Sequence, residues 1–132
     1  GPDSAQSGED LDLGVVVEAV LAQLHRLVNR ERLIAGTCRV QQARNAVYQL
    51  GRMKDAGVER CSMESSMAKL LASQAAVQNV LDSMQVFGGY SVTEEYEIGR
   101  LLLEAKAMEF GEGTSELHTK LIAETMLGLR KK

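Results

Sequence analysis

Proline is missing from the interior of this sequence, the single one being Pro2, and tryptophan is absent altogether. Phenylalanine and tyrosine supply only five residues between them. A chain with no internal helix breaker, few aromatics and many Ala, Leu, Met, Glu and Gln residues reads as all-α. Cysteine and histidine are equally scarce, two of each. Cys38 and Cys61 lack the close spacing of metal ligands, so no metal set is recognisable, and a reduced compartment with both thiols packed in the interior is expected. That places the protein in the cytoplasm, or in the mitochondrial matrix if the source is eukaryotic. No apolar run reaches the length needed to span a bilayer, which excludes a membrane span. The net charge is -3, with Lys and Arg scattered among acids, so no basic stripe for nucleic acid exists.

What remains is an ordinary globular composition, 45% hydrophobic and 25% charged, in 132 residues. That length suits one domain. Residues 1–12 are small, polar and acidic, and the opening Gly-Pro resembles a scar of tag removal, so they are read as a tag remnant and flexible N-terminus. Residues 13–132 are then the helical domain. Val17, Val20, Leu24 and Leu27 recur at helical spacing, and Val40, Ala43, Val47 and Leu50 do so in another phase. Between them lie Asn29–Arg32 and Gly36, so residues 13–56 form either one helix with a shifting face or two helices. Gly57 supplies a C-terminal stop.

Ser62 can cap the next helix, with Met63, Met67, Leu70, Val77, Leu81 and Met84 as its core stripe. Ser66, Ser73, Gln78 and Asn79 are expected to face elsewhere, while Ala68, Ala72, Ala75 and Ala76 permit close approach of another helix. Gly88-Gly89 ends this segment. Ser91 and Glu94 match a capping box for a helix through Ile98, Leu101, Leu102 and Ala105. A last helix turns Leu117, Leu121, Ile122 and Met126 inward, with Arg130, Lys131 and Lys132 complementing its C-terminal dipole. Four or five helices with short connections predict an antiparallel up-down four-helix bundle.

Before that last helix stands FGEGTSEL, Phe110–Leu117, with Glu112 between two glycines and Thr114 or Ser115 able to cap. The glycines leave space for a ligand or another backbone beside the carboxylate. A helix N-terminus and apolar neighbours act on such an acid in opposite senses, which suits a group that takes up a proton. A plain turn between helices contains the same residues. His118 is read as a surface or cap-adjacent residue, Cys38 as core, and Tyr90 and Tyr96 as packing at a bundle end. Arg100 and Lys106 are read as a solvated helix face.

Three blocks carry a resemblance. Glu64–Ala76 (ESSMAKLLASQAA), Gln85–Lys106 (QVFGGYSVTEEYEIGRLLLEAK) and FGEGTSEL followed by IAE resemble, in order and spacing, the C-terminal helical domain of the acyl-CoA dehydrogenase family. Together they cover about residues 40–129. The resemblance implies that Glu112 is the carboxylate base for α,β-dehydrogenation of an acyl-CoA or carrier-bound acyl thioester, with FAD as cofactor. It implies that Gln85, Gly88 and Gly89 meet the flavin nucleotide of a neighbouring subunit, and that Thr114 and Glu116 lie by the adenine end. It also implies a homo- or hetero-oligomer. The sequence departs from the family pattern at Ser91, Glu97, Leu103, Glu104, Gly111, His118 and Thr119. The family's N-terminal helical domain, its β-domain and its R-x-x-F-G segment are not recognised, so this fragment is expected neither to hold FAD nor to turn over substrate alone. Missing flavin- and acyl-CoA-binding domains, or a companion subunit, would supply the rest. The alternative is a non-catalytic helical docking module derived from the same fold within a larger assembly.

Overall fold

The computed structural model describes residues 13–129. The tag reading of residues 1–12 and the dipole role of Arg130, Lys131 and Lys132 lie outside the described residues. All regular structure among the described residues is helical: α1 (Leu13–Asp55), α2 (Ser62–Phe87), α3 (Ile98–Phe110) and α4 (Ser115–Met126), with a 3-10 turn over Gly88–Val92. The all-α bundle with four to five helices is therefore what the chain forms. Packing divides it into two units, Gly1–Glu31 and Arg32–Lys132.

Within the first unit the described chain is the opening part of α1. Val17, Val20, Leu21, Leu24, Leu27 and Val28 are all exposed there, so the expectation that Val17, Val20, Leu24 and Leu27 form a core stripe is corrected. Amphipathic spacing makes such a face available for burial but does not supply a partner for it.

The second unit is organised around α2, which packs against α3 and α4. The open question over residues 13–56 resolves to one helix, and the charged Asn29–Arg32 stretch does not break it. Gly36 lies within the helix and close to α2: its carbonyl accepts a bond from Asn79 Nδ2 at 3.2 Å, and a Cβ there would stand 3.3 Å from Asn79 Oδ1. Arg39 Nε donates to the same Asn79 at 2.8 Å, and Asp82 pairs with both Arg32, at 3.2 Å, and Arg39. This register makes α1 and α2 antiparallel, and Ala43 of α1 and Ala75 of α2 are both buried.

Ser66 and Ser73 are buried as well, contrary to the expectation that they face elsewhere. Positions 66 and 73 lie about 200° around the helix from 68 and 75, so α2 is covered on two opposed faces. Small side chains suit both faces, because backbones can then approach closely. Ser73 Oγ satisfies its own polarity by donating to Leu70 O at 3.3 Å. The large stripe residues are less enclosed: Met63, Met67, Leu70, Val77 and Met84 are half-buried and Leu81 is exposed.

Three local signals resolve differently from expectation. Cys61, not Ser62, is the N-cap of α2, without a side-chain capping bond. The Ser91–Glu94 capping box does not form. Ser91 Oγ instead donates to Gly88 O at 2.7 Å inside the 3-10 turn, and α3 starts at Ile98 with no side-chain cap. Cys38 is exposed, whereas Cys61 is buried as expected, and both thiols are free. Gly57 (φ 79°) and Gly88 (φ 60°) do end their helices in the left-handed region that favours glycine.

Candidate functional site

α3 ends at Phe110, and the chain turns through Gly111, Glu112 and Gly113 into α4. The Gly111 N–H donates to Ala107 O at 2.9 Å, after which the backbone becomes extended (φ -59°, ψ 135°). Glu112 then adopts φ 56°, the one positive φ at a non-glycine residue among the described residues. For an L-residue that region costs about 1 kcal/mol or more and persists only where the surroundings enforce it. Its side chain is exposed, and among the described residues no hydrogen bond or ion pair engages the carboxylate. Such a group is free to meet something outside this chain.

The two flanking glycines are not equivalent. Gly113 has φ 111°, and a Cβ there would lie 3.0 Å from His118 Nε2 and 3.1 Å from Leu117 Cδ2. Position 113 therefore requires glycine on conformation and on space alike. Gly111 has no unusual φ, and a Cβ there would reach only an ordinary contact at 3.5 Å. His118 is cap-adjacent as expected but is not a surface residue. It is half-buried beneath Gly113, and its two ring nitrogens are buried with no hydrogen-bond partner.

Thr114 is the N-cap of α4, its Oγ1 accepting from Leu117 N at 3.4 Å. The Glu116 carboxyl is held below its ordinary value, first by its backbone N–H and then by the Thr114 side chain. Both groups are thus engaged in building the first turn of α4. On the other side of the turn, Lys69 of α2 donates to Glu109 O at 3.0 Å and to Gly113 O at 2.6 Å. Sequence reasoning misses Lys69, although it is the sole basic residue of α2 and sits in a run of small and apolar residues. That isolation is the signal that could have found it.

Gln85, Gly88 and Gly89 form a second locus at the C-terminal end of α2, sixteen residues beyond Lys69 and so about 24 Å along the helix axis. The structure brings Glu112, Thr114 and Glu116 together but not with these three. A Cβ on Gly88 or Gly89 would meet nothing within 4 Å, so the backbone there is open. Phe87, Tyr96 and Tyr90 cluster beside it, with ring centroids 5.9 Å apart for Phe87–Tyr96 and 5.7 Å for Tyr90–Tyr96. The tyrosines pack on one another at the bundle end as expected.

Three departures from the family pattern, Glu97, Glu104 and Thr119, find partners within about one helical turn. Arg100 bonds Glu104 at 3.0 Å and Glu97 at 3.2 Å, and Thr119 Oγ1 donates to Ser115 O at 2.8 Å. Lys106 pairs with Glu109 and lies 5.5 Å from the Phe110 ring centroid. Among the described residues, no group of acids, cysteines and histidines could hold a metal ion. None of their helices is long and apolar enough to cross a membrane.

Comparison with known proteins bears on the family and the fold. The family described as acyl-CoA dehydrogenase, C-terminal domain, matches residues 24–127. An acyl-CoA dehydrogenase of Bacillus subtilis is 40% identical over 90 residues, which are 68% of this chain and 24% of that protein. A structure of PigA with FAD and proline superposes with a TM-score of 0.71 at 32% identity, covering 78% of this chain and 26% of the other. A glutaryl-coenzyme A dehydrogenase in its glutaryl-CoA complex gives a TM-score of 0.73 at 27% identity, covering 78% and 26%. The chain spans about a quarter of the length of these relatives. Through the C-terminal domain, this chain belongs to the acyl-CoA dehydrogenase family.

Proposed function

We propose that this chain supplies the carboxylate base, Glu112, for α,β-dehydrogenation of an acyl-CoA or carrier-bound acyl thioester in an FAD-dependent protein of which it forms the C-terminal part. The observation that carries the reading is the Glu112 turn: an exposed, unengaged carboxylate in a left-handed backbone conformation at the mouth of a capped helix. Gly113 keeps bulk away on one side, so a substrate carbon can come within reach of Glu112. The carboxylate takes the α-proton of the thioester, and expulsion of water by the substrate strengthens that step. When bound, FAD supplies the acceptor for the β-hydride. Gln85, Gly88 and Gly89 suit contact with a nucleotide, since the glycine backbone is open and the Gln85 carboxamide is exposed. Their distance from Glu112 supports a role toward a flavin other than the one Glu112 serves, and hence an oligomer. Thr114 and Glu116 act at the adenine end only through what the cap of α4 leaves free.

The test is Glu112→Gln in the complete protein. Loss of substrate-dependent flavin bleaching by a factor on the order of 10² to 10⁴ is expected for removal of a general base, and unaltered bleaching overturns the reading.

A second reading, a docking module without catalysis, draws on the apolar side chains that α1 leaves exposed, Leu33, Ile34 and Tyr48 among them. Under that reading a purified assembly stays colourless with added FAD, and Glu112→Gln has no effect on its function.

A further inference from the structure

We infer that Lys69 is the positioning residue for Glu112, a clamp from α2 that holds the turn carrying the carboxylate. The inference rests on the reading of Glu112 as the base. Lys69 is half-buried on the face of α2 that also carries Ser66 and Ser73. Its ammonium reaches two main-chain acceptors that bracket Glu112, one three residues before it and one immediately after. Glu109 O belongs to the last turn of α3, where carbonyls lack an intrahelical donor and the helix dipole favours a cation. Gly113 O lies in the turn itself, beyond the reach of any helical bond.

A lysine suits this duty because its ammonium is a compact group with three donors that can serve two carbonyls at once. Among the interactions described, Lys69 is what ties the Glu112 backbone to the central helix. Glu112 is also the residue whose backbone conformation most needs external support, because an L-residue leaves the left-handed region when released. The Thr114 cap fixes only the start of α4, and the Gly111 bond to Ala107 fixes only the end of α3. With the ammonium removed, Glu112 falls back to the common helical or extended regions and its carboxylate is redirected.

The experiment compares Lys69→Met and Lys69→Arg with the unaltered 132-residue chain by NMR, reading the Glu112 HN–Hα coupling, its intraresidue NOE and amide exchange across residues 111–114. Lys69→Met is expected to shift the Glu112 signals out of the left-handed pattern. It should also speed exchange in the turn on the order of tenfold or more, for two lost charge-assisted bonds. Exchange at Ala75 should stay unchanged. Lys69→Arg, with its charge and several donors, is expected to restore the turn at least in part. A Glu112 signature identical in Lys69→Met and the parent overturns the clamp, and so does loosening that is equal at Ala75 and in the turn. Should Lys69→Met fail to fold, Lys69→Gln, which keeps two amide N–H donors but no charge, is read in the same way, with an intermediate loss expected. In the complete protein Lys69→Met should lower kcat with little change in KM. If the turn moves in Lys69→Met while Glu112→Gln remains active, the clamp stands and the assignment of the base falls. If the turn does not move while Glu112→Gln is inactive, the base stands and the clamp falls.

Discussion

At the scale of the residue, the two glycines around Glu112 separate what looks alike in sequence. Gly113→Ala places a methyl against His118 and Leu117 in a φ of 111°, so it should destabilise the chain by about 1–3 kcal/mol in chemical denaturation. Gly111→Ala meets neither obstacle and should stay within about 0.5 kcal/mol of the parent. Equal effects at the two positions would contradict the turn geometry. Glu116 gives a pH prediction at the same scale. Its folded pKa lies below its ordinary value of 4.5, so the stabilising contribution is present above that value and is lost as pH falls through the lower, folded one. The carboxyl carbon of Glu116 should therefore titrate with a midpoint under 4.5 in NMR, and Thr114→Val should move that midpoint upward. FGEGTSEL announces an acid, a turn and a cap, and all three are found. The left-handed φ of Glu112 and the unlike duties of the glycines are not legible there, because they arise from contacts with His118, Leu117 and Lys69.

At the scale of the element, α1 and α2 are joined by a polar seam, Arg32, Gly36 and Arg39 against Asn79 and Asp82. Asp82→Ala would leave two partly buried guanidiniums without a carboxylate. The loss should be about 1–3 kcal/mol, between the values typical of exposed and of fully buried pairs. A double-mutant cycle with Arg39→Ala should show coupling, and strictly additive losses would rule out the pairing. The cap of α4 is a weaker device. Its bond is long at 3.4 Å, so Thr114→Ala should cost roughly 0.5 kcal/mol, the low end for N-caps. Helix existence and most stops are readable from periodicity and from Gly57 and Gly88. The starts of α2 and α3 are misread differently: Ser62 falls inside α2 as its first residue, and Ser91 is taken into the 3-10 turn, where its Oγ donates to Gly88 O, seven residues before α3 begins. The burial of Ser66 and Ser73 comes from α2 being enclosed on two faces, which a one-stripe pattern does not encode.

At the scale of the whole molecule, the buried set among the described residues is made of small side chains, Ala43, Cys61, Ala68, Ala75 and Ala105 with three serines. No large side chain among them is fully buried, while Leu33, Ile34, Leu103 and Met108 are among the many that are exposed. The isolated chain should accordingly bind an apolar dye such as ANS, and that fluorescence should fall when the remainder of the protein is supplied. A chain that binds no dye alone would contradict the exposure described.

By itself the sequence determined the all-helical class, the order of the helices, the family and the position of Glu112. Each of these is written in local spacing, in turn residues or in contiguous motifs. Only the tertiary structure decided that residues 13–55 form one helix, that α2 is packed on two sides and that Cys38 faces out. It alone brought Lys69 to the Glu112 turn. These outcomes depend on which surfaces meet across forty or more residues of chain, and no local pattern specifies that. The exposed carboxylate is thus a property of FGEGTSEL, whereas the conformation that presents it comes from the helix packed behind it.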